Sequence, residues 1–399
     1  MSMVIDGHEN LKSSQLESPP YPFYEFFAGG GMARLGLGSA WRCTFSNDIC
    51  EKKALAYKAY FGEGELKVAD VATLTLRDLP GTPTLVWGSF PCQDLSLAGN
   101  GAGLRGTRSG TFLPFWKLIS GMIGGGRIPQ LVVLENVVGT LTSHEGRDFA
   151  AIVAAISREG YRVGALVIDA VNFLPQSRPR LFIVGVHRTA DVPSQLEQSV
   201  ASGLWHTPAL QMAFERMPER LQDRWIWWNL PFPKEPISSF ASLIEEDPTG
   251  VEWHTKEQTD HILGLMAPLH KEKLLTAQRL KTRIVGTVYR RIRPNEDGVK
   301  VQRGEIRFDQ IAGCLRTPGG GSSRQTIVVV EGRRAPRSRL LSPREAARLM
   351  GAPEDYPLPA KYNDAYHLFG DGLVVPVVKW LSAHILTPVA AANRVMITA

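Results

Sequence analysis

The sequence predicts an α/β fold: a mostly parallel sheet covered by helices on both faces, with a second, smaller and less regular domain. Three observations predict it. From residue 23 to about 186, short apolar runs alternate with stretches of helical periodicity, the pattern of strand–helix units. After Arg188 that alternation stops, and Trp, Pro and charged residues become frequent, with Trp225, Trp227 and Trp228 in one short stretch. Near Ser342 a helix signal returns, with Pro343 at the first helical position and Glu345 in the first turn. The layout that follows is a polar tail at 1–20, a first domain at 21–188, a second at 189–338 and a return to the first at 339–399.

Taken in order, strands are expected at 23–27, 43–46, 66–68, 85–88, 131–134, 165–168 and 181–186, with helices at 52–60, 112–122 and 149–159. A final apolar helix is expected at about 374–385. In a parallel sheet buried on both faces, ligands bind beyond the carboxyl ends of the strands, so chemistry is sought just after each one.

Composition narrows the field. At 399 residues the chain can bury two cores. No apolar run is read as reaching the roughly 18 to 20 residues of a membrane helix, and residues 1–20 lack a signal peptide's apolar core, so a cytoplasmic protein with no membrane partner is expected. The four cysteines, Cys43, Cys50, Cys92 and Cys314, form no C-x-x-C pair, which argues against a disulfide framework or structural zinc. No metal is expected. The net charge of +6 is unevenly spread: residues 271–307 hold eleven Lys or Arg against four Asp or Glu. Such a run is usually a solvated face and alternatively a nucleic-acid surface.

The first strand leads into Phe27-Ala28-Gly29-Gly30-Gly31, where glycines let backbone approach a ligand and turn into a helix. The dinucleotide fingerprint fails, because Arg34 stands where its third glycine belongs. The second strand ends at Asp48-Ile49, the third at Asp70-Val71. An acid at the first position can accept ribose hydroxyls, one at the second an adenine amino group. Each also reads as a helix cap. Together with the glycine turn they favour an adenosyl ligand, S-adenosylmethionine ahead of a dinucleotide.

The fourth strand delivers Pro91-Cys92-Gln93, a cysteine well placed as a nucleophile. A glycine-rich stretch follows, with Ser96 at its start and Arg105 and Arg108 as phosphate contacts; an ordinary surface loop is the alternative. The fifth strand runs into Glu135-Asn136, where desolvation should raise the carboxyl pKa and keep it protonated. Before the seventh strand stands Gln176-Ser177-Arg178-Pro179-Arg180; extension puts both arginines on one face, suited to phosphate or base recognition or to a plain ion-paired edge.

In this order the motifs resemble the DNA cytosine-5 methyltransferase family of prokaryotic or phage type, over about 23–186 and 339–386. Pro91-Cys92-Gln93, Glu135-Asn136-Val137 and Gln176-x-Arg178-x-Arg180 carry it. The stretch 339–351 is similar to the family's late helix, and 366–376 to its last motif. The chain departs from the family at Glu25, at Met32, and at Asp371-Gly372-Leu373, where Asn-x-Val is usual.

The resemblance implies a Rossmann-like methyltransferase sheet and a target recognition domain. It implies S-adenosylmethionine as methyl donor (S-adenosylhomocysteine as product), with Asp371, Leu373 and Pro91 added to the cofactor residues. The catalytic set is then Cys92, Glu135, Arg178, Gln93 and Asn136. Ser96, Arg105, Arg108, Gln176 and Arg180 would meet duplex DNA, from which the cytosine is flipped. Residues 319–325 would also approach DNA. A monomer is expected, with a cognate restriction endonuclease as candidate partner. The rivals are transfer RNA as substrate, a DNA-binding regulator without catalysis, and a nicotinamide-dependent dehydrogenase.

Overall fold

The computed structural model describes residues 20–91, 111–233, 238–295, 297–317 and 324–394. Its central sheet has seven strands: β1 (Tyr21–Phe26), β2 (Trp41–Asp48), β3 (Leu66–Val68), β4 (Leu85–Gly88), β5 (Leu131–Val137), β6 (Tyr161–Asp169) and β7 (Pro179–His187). Their order is β3-β2-β1-β4-β5-β7-β6. The first five run parallel, while β7 is antiparallel to both β5 and β6. The strand direction of winding reverses between β1 and β4, and a crevice opens there beyond the carboxyl ends.

Both faces are covered, which is why the middle strands are continuous apolar runs rather than alternating ones. Leu85, Val86 and Trp87 are all fully buried, as are Leu131, Val132 and Val133. Odd and even positions feed different cores. Phe23, Trp87 and Val133 pack on helices Met32–Leu37, Pro343–Leu349 and Val375–Leu381. Tyr24, Val86 and Val132 pack on helices Phe112–Gly124 and Arg147–Arg158. The end of the described chain thus closes one face of the sheet. The helical run Tyr362–Ala392 is long and apolar enough to cross a membrane, but 61% of that window is buried inside the protein, the behaviour of a core helix.

After β7 the strand–helix alternation ends, as the sequence suggests. A short pair, β8 (Glu197–Gln198) with β9 (Trp227–Trp228), lies by the outer strand β6, where the Val167 N–H donates to the Trp205 carbonyl. Farther on stands an antiparallel sheet that the sequence reading does not resolve. It comprises β10 (Arg283–Pro294), β11 (Lys300–Arg307), β12 (Thr326–Glu331) and β13 (Arg337–Leu340), in the order β11-β10-β12-β13. Ile262 and Leu274 from two helices, and Met266 from the turn between them, cover it, meeting Val288, Ile306 and Val328.

Candidate active site

A cavity of about 550 Å³ opens at the β1/β4 crevice, within the range of small-ligand sites. One part of it is built by the first three strand ends. Beyond β1 the chain turns through Phe27 (φ 58°) and Gly29 (φ 56°), left-handed positions that favour glycine at the second. The Asp48 carboxylate fixes this turn, accepting from the Gly29 and Cys50 N–H groups, both at 2.7 Å. Asp70 caps the turn Val71–Thr73, accepting from the Ala72 N–H at 2.9 Å. Phe27, Ala28, Gly29, Asp48, Ile49, Asp70, Val71, Pro91, Asp371 and Leu373 all line the cavity.

Gly30 and Gly31 do not. A Cβ on Gly30 would come within 2.6 Å of the Tyr356 hydroxyl, and one on Gly31 within 2.4 Å of the Phe61 ring. These glycines serve close packing behind the turn.

The opposite part of the cavity holds the chemistry. Glu135 lies inside β5, opposite Phe182 of β7, rather than just past the strand end. Its carboxylate meets Arg180 Nε at 3.2 Å, and burial holds its pKa above the ordinary carboxyl value against the pull of Arg180 and Arg178. Arg178 and Arg180 both reach this wall, as alternation requires. The Arg178 guanidinium donates to the carbonyls of Leu315 (2.8 Å), Gly370 (2.9 Å) and Gly372 (2.8 Å). Burial and the like charge of Arg180 lower its pKa to about 10. It is a clasp between three segments as well as a source of positive potential.

Asn136 donates to the Phe90 carbonyl at 3.0 Å and accepts from the Val137 N–H and the Thr140 hydroxyl. It therefore ties β5 to the chain two residues before Cys92. Gln176, expected at DNA, is wholly buried: its amide donates to the Leu349 carbonyl and accepts from the Leu315 N–H. With both amide atoms engaged inside the protein it faces no ligand. Cys92, Gln93, Ser96, Arg105 and Arg108 lie outside the described residues, as do 319–323 of the 319–325 stretch. Arg324, next to its last residue, bonds Asn363 Oδ1 at 2.7 Å.

Among the other residues of the cavity, Glu25 and Lys53 receive no site role from the sequence. Glu25 is fully buried, its Oε2 has no hydrogen-bond partner among the described residues, and burial pushes its pKa up to about 8. Lys53 pairs with Asp371 at 2.6 Å, joining residues 318 positions apart. No local spacing announces either one.

Comparison with known proteins completes the picture. The family model described as C-5 cytosine-specific DNA methylase matches residues 21–387. A Type II methyltransferase, M.HpaII of Haemophilus parainfluenzae, is 24% identical over 92% of this chain and 89% of its own length. M1.ScrFI of Lactococcus lactis subsp. cremoris, also a Type II methyltransferase, is 26% identical over 96% and 81%. Among solved structures, the S. pombe Dnmt2 methyltransferase superposes with a TM-score of 0.53 at 17% identity, covering 92% of this chain and 99% of its own, a likeness of fold. A match from the first strand to the closing helices, over the sheet and cavity just described, makes the chain a DNA cytosine-5 methyltransferase, a member of the C-5 cytosine-specific DNA methylase family.

Proposed function

We propose that the chain moves a methyl group from S-adenosylmethionine to carbon 5 of a cytosine flipped out of a specific duplex DNA sequence, through a covalent Cys92 adduct. One observation carries this reading: the glycine turn with Asp48 and Asp70, and the Glu135–Arg180–Arg178 wall, share one cavity. The fit to the donor is supported by its size, by the room beside Gly29, where an added Cβ would meet nothing nearer than 3.8 Å, and by the unpartnered Oε2 of Glu25. Asp48, Asp70, Ile49, Val71 and Leu373 would hold the adenosyl group, with Lys53 and Asp371 nearby. Bound S-adenosylmethionine supplies an electrophilic methyl group.

Carbon 5 of cytosine is too weak a nucleophile to take that methyl group unaided. The Cys92 thiolate adds to carbon 6, while Glu135, protonated, donates to ring nitrogen 3 and draws electron density away from the bond under attack. Carbon 5 becomes enamine-like and accepts the methyl group. A base then removes the proton from carbon 5, the double bond re-forms, and Cys92 leaves as thiolate. Asn136, through the Phe90 carbonyl, sets the approach of the nucleophile's segment. Arg178 and Arg180 keep the wall positive around the flipped base. Gln176 is better assigned to bracing 315 and 349 than to DNA.

We further assign 21–188 with 339–399 to catalysis and 189–338 to target recognition, acting as a monomer in the cytoplasm beside a cognate restriction endonuclease. The test is transfer of label from S-adenosylmethionine, with duplex DNA and transfer RNA as parallel substrates and Cys92→Ala as control. Label in 5-methyldeoxycytidine, lost to background in Cys92→Ala, is expected. Label confined to RNA, or transfer surviving in Cys92→Ala, would overturn the substrate or the adduct respectively.

A further inference from the structure

Beyond Val288, the last residue of β10 that pairs with β12, strands β10 and β11 continue alone as a two-stranded ribbon from Tyr289↔Glu305 to Pro294↔Lys300. Six pairs at about 3.4 Å each make an arm roughly 20 Å long. Its root is buttressed at Gly304, whose N–H donates to the Leu265 carbonyl; the outer residues 291–294 are exposed. A two-stranded ribbon of this kind fits the major groove of B-DNA.

The register places Tyr289, Arg291, Arg293, Arg303 and Glu305 on one face. Arg291 and Arg303 stand directly opposite one another. Like charges in that position destabilise a ribbon, so folding alone gives no reason for them. Glu305 is the one acid on this face of the arm; it meets Arg291 Nε at 3.2 Å and Arg293 Nε at 2.8 Å, which fixes both guanidiniums while leaving each about half exposed. Arg303 has no ion-pair partner among the described residues. The face therefore presents surplus positive charge on forks that are already oriented. It also runs toward the candidate active site: the Tyr289 hydroxyl packs on Gly313 and bonds Gln325, and Cys314, the next residue, accepts from Arg178 at 3.4 Å.

Resting on the methyltransferase reading above, we infer that the ribbon 289–305 enters the major groove of the target duplex and that Arg291 and Arg293, held by Glu305, read guanine edges there. An arginine fork pairs two acceptors of guanine, a geometry that a lysine ammonium cannot copy. Phosphate contacts alone would ask for charge without orientation.

The experiment compares wild type, R291A, R293A and the R291K/R293K double variant, mapping every methylated cytosine in a mixed duplex library and measuring kcat/KM against salt. Exposed positions on the arm should leave melting temperature and S-adenosylmethionine binding unchanged, which verifies folding. Each alanine variant is expected to lose roughly 5- to 150-fold in kcat/KM on the wild-type site and to accept other bases at one guanine position. The double lysine variant should not restore discrimination. A uniform loss over all sequences, rescued by lysine and accompanied by a salt slope lower by about one per residue, would overturn base reading in favour of phosphate contact. A wild-type site that specifies no guanine besides the one paired with the target cytosine, or alanine variants with unchanged rate and site, would overturn the inference and leave the methyltransferase reading intact. Wild type that methylates no duplex DNA would remove that reading and the inference with it.

Discussion

Two regions of this molecule bury an arginine completely, and they satisfy it in opposite ways. At the seam between β13 and the helix Pro343–Leu349, the Arg339 fork meets both oxygens of Glu345, at 2.8 and 2.6 Å, and also the Glu245 carbonyl at 2.7 Å. Glu345 in turn accepts from the N–H groups of Ser342 and Glu245, both at 2.7 Å. At the cavity wall, Arg178 is held by backbone carbonyls and a thiol, with no carboxylate in ion-pair reach among the described residues. The seam is a closed circuit of charge and joins elements. The wall keeps an excess of positive charge beside a carboxyl whose pKa burial raises, a combination suited to acting on something that enters.

If that contrast is right, damage at the wall should appear in rate and damage at the seam in stability. The largest effect is expected for Glu135→Gln. Glutamine keeps the shape and a donor but cannot give up a proton, so kcat should fall by roughly 10²- to 10⁴-fold, with S-adenosylmethionine affinity within about twofold of wild type. The wild-type rate should also fall at high pH as Glu135 ionises, later than an ordinary carboxyl would require, because burial raises its pKa. Glu135→Gln turning over at the wild-type rate would end the assignment.

Glu345→Ala should do the converse. Removing one partner leaves Arg339 charged and unpaired in a fully buried place, at a cost of about 3–5 kcal/mol, readable by denaturant titration. Activity per folded molecule should be unchanged. Replacing both residues by methionine should recover most of the loss, since a well-packed apolar pair is often as stable as a buried ion pair. A double variant no better than the single one would show that the hydrogen bonds to Ser342 and Glu245, rather than the charge on Arg339, dominate the seam.

The two regions also differ in how far the sequence foretold them. Asp48 and Asp70 end or follow strands, and Glu135 and Asn136 continue the apolar run of β5, so their position is a local property. Gln176 fails for the opposite reason: its environment is set by Leu349 and Leu315, 173 and 139 residues away. Gly30 and Gly31 look identical to Gly29 in the sequence, and only packing against Tyr356, Tyr57 and Phe61 separates their roles. The ribbon escapes detection because Tyr289-Arg290-Arg291-Ile292-Arg293-Pro294 has arginines where a half-buried strand would alternate apolar residues, and a proline within it. Surfaces that await a partner lack the periodicity that a core imposes.

The smallest effect expected belongs to Glu25, on the cofactor side of the same cavity. Its folded pKa of about 8 lies above the ordinary 4.5, so between those values the native state holds a proton that the unfolded chain has released. Stability contributed by this group is complete below about pH 4.5 and is lost as pH rises toward 8, at up to about 1.4 kcal/mol per pH unit. Glu25→Gln removes this share of the slope. In the ligand-free protein its unfolding free energy should therefore gain on wild type as pH rises from 5.5 to 7.5. Parallel pH profiles for the two proteins would mean that Glu25 is ionised in the folded state, with its Oε2 finding a partner in solution. Glu135, also raised by burial, tilts the wild-type profile the same way, and subtracting the Gln variant isolates Glu25 from it.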